Sequence, residues 1–142
     1  YVILSLGLVV LSIGIPFIHA GEEAMRSKKG IDNTYNASLD INGMDLLNNQ
    51  YKDIISALKY FINFRKEQSI YKINDSDIID DLIEFDILNN STIIVKTKKF
   101  DIIFKNNKEK LALDYKNLEI SYNGKGYAEN SFSDIGVYII KK

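Results

Sequence analysis

The sequence contains no cysteine and no tryptophan, and it has a single proline and a single histidine. Without cysteine the chain can form neither a disulfide framework nor a thiolate site. The lone histidine, His19, argues against a histidine-based metal centre and against a Ser-His-Asp triad. We therefore expect no cofactor and no metal site.

The chain also lacks an excess of charge of either sign. Lysine and arginine number 18 against 19 aspartates and glutamates, a formal net charge of -1. No basic surface is predicted for nucleic acid or for an acidic membrane. We expect neither as a partner, and a neutral ligand such as a sugar fits this balance equally well.

The first twenty residues form the most apolar part of the chain. Residues 2–20 are interrupted at Gly14-Ile15-Pro16, and neither part is long enough to span a bilayer. A secretory signal peptide requires a lysine or arginine before its apolar run, and this chain has neither there. We interpret residues 1–13 as a helix end and residues 15–20 as a short strand buried on both faces. A cytoplasmic location is preferred to a secreted one, although the sequence leaves it undetermined.

The remaining chain divides into a loop, a helix and a set of strands. Residues 21–45 are dense in Gly, Asn, Asp and Ser and predict a long irregular loop. The spacing of apolar residues from Asn48 to Glu67 predicts an amphipathic helix, with Asn48 or Asn49 as its N-cap. Beyond Gln68 the apolar period becomes two, with turn signals at Asn106-Asn107 and Asn123-Gly124. The alternating residues are Ile93, Val95 and Thr97; Phe100, Ile102 and Phe104; Leu111 and Leu113; Leu118, Ile120 and Tyr122; and Val137 and Ile139.

This order of elements suggests two architectural parts. The chain begins with a helix, a buried strand, a long loop and another helix, which is the order of elements at the end of a (β/α)8 barrel. The strands that come next form an antiparallel β domain appended to it. A chain of 142 residues is long enough for one small domain and a piece of another. The helix and strand at the start would lack partners within the chain. We expect the following apolar side chains to be exposed or packed in a non-native way: Val2, Ile3, Leu4, Leu6, Val9, Val10, Ile15, Phe17 and Ile18.

Several short motifs are more specific than this pattern. The segment GIPFIHAGEE at residues 14–23 is similar to the eighth-strand motif of the α-amylase superfamily. It is followed by RSKKG at 26–30, NTYNA at 33–37 and DINGMD at 40–45. In this order and spacing, the motifs resemble those of type I pullulanases, which are α-1,6-glucan debranching hydrolases. KYFINFRKE at 59–67 and FDIIFKNN at 100–107 resemble the last barrel helix and a β-domain strand of that family.

The resemblance implies a fold and a set of site residues. Residues 1–67 would be the C-terminal end of a (β/α)8 catalytic barrel with the active-site loop 21–46, and residues 68–142 an antiparallel β sandwich. The loop would bind an α-glucan polysaccharide or oligosaccharide, and the remainder of the parent barrel would be the protein partner. The implied substrate-binding residues are Asn33, Tyr35, Asn36, Asp40 and Asn42. A loop that satisfies its own backbone through Asx turns remains the alternative for these residues.

The implied chemistry is retaining hydrolysis by two carboxylates, one a nucleophile and one a general acid/base. The motifs that carry them in the family are absent from this chain, so no catalytic residue is assigned and the chain alone is expected to be inactive. Two residues depart from the family pattern. Leu46 stands in place of a tryptophan, which removes an aromatic contact, and Thr34 replaces a serine but keeps the hydroxyl.

Other polar residues carry weaker predictions. Adjacent Glu22 and Glu23 point to opposite faces of a strand and are expected to anchor the loop. His19 is expected to be buried and hydrogen-bonded. The acidic group Asp75, Asp77, Asp80 and Asp81 lacks EF-hand spacing and is expected to be a solvated surface.

Two alternatives to the pullulanase interpretation are retained. One is another α-amylase-type hydrolase, such as an isoamylase or a glycogen debranching enzyme, against which residues 33–36 argue. The other is a secreted, non-catalytic β domain with an N-terminal signal peptide, which would bind carbohydrate or protein.

Overall fold

The computed structural model describes residues 1–45, 50–113, 115, 119–122, 125–127 and 131–142. The helices are α1 (Val2–Leu11), α2 (Leu39–Asn42), α3 (Lys52–Glu67) and α4 (Ser76–Asp80), with 3-10 turns at Glu22–Ala24 and Ser69–Lys72. The strands are β1 (Glu84–Leu88), β2 (Thr92–Lys96), β3 (Phe100–Lys105), β4 (Leu111–Ala112), β5 (Glu119–Tyr122), β6 (Lys125–Tyr127), β7 (Ser131–Phe132) and β8 (Gly136–Lys141).

The strands form a six-stranded sheet in the order β1-β2-β3-β8-β5-β6 and a two-stranded ribbon of β4 and β7. Each described pairing is antiparallel, and Ile102 in β3 lies opposite Val95 in β2 and Ile139 in β8. The predicted antiparallel region is therefore confirmed, with β2, β3, β4, β5 and β8 at the predicted alternations. β1, β6 and β7 were not predicted. Tyr122 pairs with Lys125 across a hairpin whose predicted turn, Asn123-Gly124, lies outside the described residues, as does Leu118.

The two faces of the sheet are covered differently. On one face, Phe100, Ile102, Phe104, Val137 and Ile139 pack in one cluster with side chains of α1 and α3. On the other face, Ile94, Ile103, Tyr138 and Ile140 form a second cluster with Phe132 of the ribbon. Helices, sheet and ribbon thus form three layers, because alternate side chains of a strand point to opposite faces.

Helix α1 has partners within the chain, contrary to the prediction that its apolar residues would be exposed or packed in a non-native way, although Val9 is exposed. Leu4, Leu6 and Val10 are buried, and the first and last of these lie in the cluster with α3 and the sheet. A Cβ atom at Gly7 would lie 2.5 Å from Cγ2 of Val137, so the helix approaches β8 closely at its glycine.

The predicted strand at residues 15–20 is wrong for this chain. The structure has no strand there. Ile15 and Phe17 are 97% and 84% exposed, as expected for a segment without partners in the chain. The predicted burial of His19 is wrong for the same reason, since this residue is exposed. A strand needs a neighbouring strand to satisfy its backbone hydrogen bonds, and none of the described strands pairs with this segment.

Helix α3 confirms the predicted amphipathic helix but begins later. Tyr51 occupies the N-cap position, while Asn48 and Asn49 lie outside the described residues. Its buried face consists of Ala57, Leu58, Phe61 and Phe64.

Among the described residues, no helix has the length and hydrophobicity needed to cross a membrane.

The end of α1 is held by two side chains that follow it by more than fifty residues. The Arg65 guanidinium donates to the carbonyls of Val10 at 2.8 Å and Ser12 at 2.6 Å, and also to that of Gly14. It lies 4.4 Å from the centroid of the Tyr71 ring, whose hydroxyl donates to Leu11 O at 3.0 Å. These donors satisfy carbonyls that a helix end leaves without partners.

The acidic group forms a solvated surface, as predicted. Asp75, Asp77, Asp80 and Asp81 are all exposed. The Asp75 carboxylate accepts from the backbone N–H groups of Asp77 at 3.0 Å and Ile78 at 3.4 Å. It therefore caps α4, which is a structural role.

Candidate functional site

The candidate site is the segment 21–45, which has more local structure than the predicted irregular loop. It begins at Gly21, with φ of 96°, and continues through the 3-10 turn Glu22–Ala24. The Glu23 carboxylate accepts from Gly21 N at 3.1 Å, while Glu22 is exposed. Glu23 thus stabilises the turn, as the predicted anchoring role requires.

Arg26 joins the start of the segment to its end. Its guanidinium donates to Ala20 O at 3.2 Å and to Asn42 O at 2.8 Å. Its side chain lies against Gly21, where an added Cβ would lie 2.7 Å from Arg26 Cδ. A larger residue would displace Arg26, and a positive φ also favours glycine at this position.

Lys28 and Asn42 cross-link the middle of the segment. The Lys28 ammonium donates to Thr34 Oγ1 and, at 3.1 Å, to Asn42 Oδ1. Asn42 Nδ2 donates to the carbonyls of Thr34 and Ala37, at 2.5 and 3.1 Å. Thr34 is only 6% exposed, so this polar network lies beneath the surface of the segment.

Residues 34–37 form a turn above this network. Ala37 N donates to Thr34 O at 3.1 Å, which closes a four-residue turn with Tyr35 and Asn36 in the central positions. Asn33 Oδ1 accepts from Tyr35 N at 3.4 Å, an Asx-type contact at the start of the turn. The turn projects Tyr35 outward, with 85% of the residue exposed.

The five predicted substrate-binding residues therefore fall into two groups. Asn33, Tyr35, Asn36 and Asp40 are exposed, whereas Asn42 is half-buried with its amide bonded to other parts of the segment. An exposed aromatic ring, amides and a carboxylate can contact sugar hydroxyls and the apolar face of a pyranose. Leu46, where the family has tryptophan, lies outside the described residues.

An open cleft of about 770 Å³ lies nearby, between α1 and residues 22–28. Leu6 and Val9 supply apolar side chains, and Glu22, Arg26 and Lys28 supply charged ones. None of the five predicted substrate-binding residues lines this cleft.

No group of acidic or histidine side chains suited to a metal ion occurs in the described ranges.

Sequence reasoning identified Arg26 and Lys28 as part of a motif but assigned them no role. Their partners lie 6 to 16 residues away, at Ala20, Thr34 and Asn42. Local spacing carries no signal for such contacts, because the path of an irregular segment is not periodic. The contacts of Arg26 and Lys28 therefore become evident only when the path of the segment is known.

Comparison with known proteins finds similarity to pullulanases. No family model matches the chain. A curated pullulanase from Bacillus subtilis strain 168 is 30% identical over 74 residues, which is 51% of this chain and 10% of that protein.

Solved structures extend the similarity to 99% of this chain. Pullulanase from Anoxybacillus sp. LM18-11 complexed with maltotriose matches with a TM-score of 0.85 and 22% identity over 22% of its length. Pullulanase from Bacillus acidopullulyticus matches with a TM-score of 0.82 and 23% identity over 20% of its length. Type I pullulanase from Bacillus subtilis strain 168 complexed with maltose matches with a TM-score of 0.78 and 19% identity over 23% of its length.

The chain thus spans a tenth of the curated relative and about a quarter or less of the solved ones. Its helices and small antiparallel sheet have the fold of part of these proteins. The predicted resemblance to type I pullulanases is therefore confirmed, and the chain is similar over 99% of its length to a part of solved pullulanases.

Proposed function

We propose that the chain is the C-terminal part of an α-glucan debranching hydrolase that cleaves α-1,6-glucosidic bonds in pullulan, glycogen or starch dextrins. Residues 1–67 are the end of its (β/α)8 barrel, and residues 68–142 are its β sandwich. Hydrolysis is of the retaining type, with both catalytic carboxylates in the part of the enzyme that precedes this chain. The partners of the chain are the glucan and the remainder of the barrel.

The observation that carries this proposal is the turn at residues 34–37, within a chain similar to pullulanases. Tyr35 and Asn36 occupy its two central positions and are exposed. In the proposed parent enzyme, residues 15–20 would pair with neighbouring barrel strands, and the loop that follows them would lie on the substrate side of the barrel. Two of the matching pullulanases were crystallised with maltotriose or maltose, sugars of the class proposed here.

The segment contributes binding and positioning rather than bond cleavage. The Tyr35 ring offers an apolar surface for one face of a glucose unit, and the amides of Asn33 and Asn36 and the Asp40 carboxylate offer hydrogen bonds to hydroxyls. Glu22 and Glu23 are not proposed as a catalytic pair, because the Glu23 carboxylate accepts from the backbone of its own turn and has a structural role there. Orientation of the glucan at this wall lowers the barrier at a distant scissile bond.

Kinetics of the full-length enzyme test the proposal. Tyr35→Ala and Asn36→Ala are each expected to reduce kcat/KM on pullulan by about tenfold, since a misplaced substrate loses rate, with the thermal midpoint unchanged. Asn74→Ala is the matched control, because Asn74 is an exposed asparagine outside the segment. An unchanged kcat/KM in both loop variants would reject the role of the turn.

The coding frame upstream of Tyr1 provides a second test. An open frame that encodes barrel strands with catalytic Asp and Glu motifs is expected. A start codon close to Tyr1 would reject the proposal and support a small, non-catalytic protein.

A further inference from the structure

We infer that Asn42 and Lys28 are positioning residues that hold the turn at residues 34–37 in shape, and that Asn42 does not contact the glucan itself. The inference deepens the proposed function and rests on it where the substrate is concerned. Its structural part, that these two side chains preorganise the turn, stands on the contacts of the described residues alone.

The amide of Asn42 is fully engaged as a donor. An asparagine amide has two N–H donors. In Asn42 they go to the carbonyls of Thr34 and Ala37, the first and last residues of the turn. One side chain therefore clamps both ends of the turn that presents Tyr35 and Asn36. No donor remains on this amide for a sugar hydroxyl.

Lys28 determines which way the amide faces. Its ammonium donates to Asn42 Oδ1 at 3.1 Å and to the hydroxyl of buried Thr34. A positive charge beside Oδ1 orients the opposite side of the amide, Nδ2, toward the carbonyls. Lys28 also contacts Thr34 directly, next to Tyr35. The ammonium and the amide act together on the same turn.

The clamp is itself tied to the rest of the segment. Asn42 is the last residue of α2, and its carbonyl accepts from Arg26 Nη2 at 2.8 Å. The turn is thereby connected to α2 and to the residues that follow Gly21. Preorganised side chains lose less conformational entropy when a ligand binds, so the clamp favours binding without touching the sugar.

The structural part is tested by NMR relaxation of the 142-residue chain. Asn42→Asp keeps the size of the side chain and an oxygen for Lys28 but removes both donors. Lys28→Met keeps the stem and removes the ammonium. In each variant we expect the backbone order parameters of Tyr35 and Asn36 to fall from about 0.85 to below about 0.6.

Two controls separate the clamp from general loss of structure. Lys29→Met removes a neighbouring exposed ammonium and is expected to leave these order parameters unchanged. Lys28→Arg keeps donors and charge and is expected to restore much of the order lost in Lys28→Met. Unchanged order parameters in both Asn42→Asp and Lys28→Met would overturn the clamp.

The second part is tested by combining variants in the full-length enzyme. Asn42→Asp alone is expected to reduce kcat/KM on pullulan about tenfold, and by less than about twofold when Tyr35 and Asn36 are already alanine, because the residues act as one unit. Equal reductions in the two backgrounds would mean that Asn42 contacts the glucan directly and would overturn the inference.

The outcomes also distinguish this inference from the proposed function. If alanine at Tyr35 and Asn36 leaves kcat/KM unchanged, the turn has no role in binding and the substrate part of both proposals fails. The order parameters still decide whether Asn42 and Lys28 hold the turn.

Discussion

Arg65 offers a sharp test of how the N-terminal helix is held to the rest of the chain. Its guanidinium bonds to the carbonyls of Val10, Ser12 and Gly14 and lies over the Tyr71 ring. Arg65→Met removes all of these polar contacts and retains most of the aliphatic stem. The C-terminal carbonyls of α1 would then depend on water and on the Tyr71 hydroxyl.

The expected loss of stability follows from the number and exposure of these contacts. Hydrogen bonds to charged groups contribute about 1.5–3 kcal/mol each, but two of the three lie at exposed positions and contribute less. The cation-π contact adds about 0.5–1 kcal/mol. We expect Arg65→Met to lower the free energy of unfolding by about 2–4 kcal/mol, a large share of the usual total of about 5–15 kcal/mol.

Urea unfolding followed by circular dichroism measures this change. Lys66→Met is the control, because it removes an exposed cation from the same helix and should cost less than about 0.5 kcal/mol. Arg65→Lys should give an intermediate loss, since an ammonium cannot match the planar fork of a guanidinium. A loss for Arg65→Met no larger than that of the control would refute the argument that Arg65 secures α1.

Three further outcomes are expected. Gly7→Ala should lower the thermal midpoint, because the added Cβ would lie 2.5 Å from Val137 Cγ2 and 3.3 Å from Phe61 Cε2. This clash should outweigh the gain of about 1 kcal/mol in helix propensity, and a raised midpoint would contradict the prediction. Burial raises the pKa of Tyr71, and Arg65 opposes this only partly. The phenol therefore stabilises the fold below the unfolded pKa of about 10, and this contribution is lost as pH rises above that value, so stability should fall more steeply above about pH 10 in the wild type than in Tyr71→Phe. Parallel urea titrations of the two proteins check it, and equal slopes would contradict it. Finally, the purified chain should release no reducing sugar from pullulan, and release above a buffer control would contradict the proposal that the catalytic carboxylates lie outside it.

Part of the fold could be predicted because its signal is local. In β3 and β8, alternate apolar residues face the helices, and the period of two follows from the geometry of a strand. Helix α3 was predicted from its period of 3.6 residues, although its start at Lys52 was not. β1 was missed because Phe85 and Ile87 form a short alternation among charged residues at the edge of the sheet.

The site was predicted less completely. Residues 33–36 were identified by their resemblance to a family motif, and the structure places Tyr35 and Asn36 on an exposed turn. Their binding role remains a prediction. Asn42 was grouped with them because an amide suits a sugar, yet its donors bond to Thr34 and Ala37. A residue type defines which hydrogen bonds are possible, and the path of the chain decides which ones form.

By itself, the sequence determined strands β2, β3, β4, β5 and β8, the amphipathic α3 and the resemblance to pullulanases, since each depends on neighbours within a few residues or on a short motif. Only the tertiary structure decided that α1 is buried and that residues 15–20 form no strand. The apolar pattern of α1 is compatible with several partners, and burial against α3 and β8 depends on contacts with residues more than fifty positions away. The next segment was equally apolar but is exposed at Ile15 and Phe17, because hydrophobicity favours burial only where another surface is present to receive it.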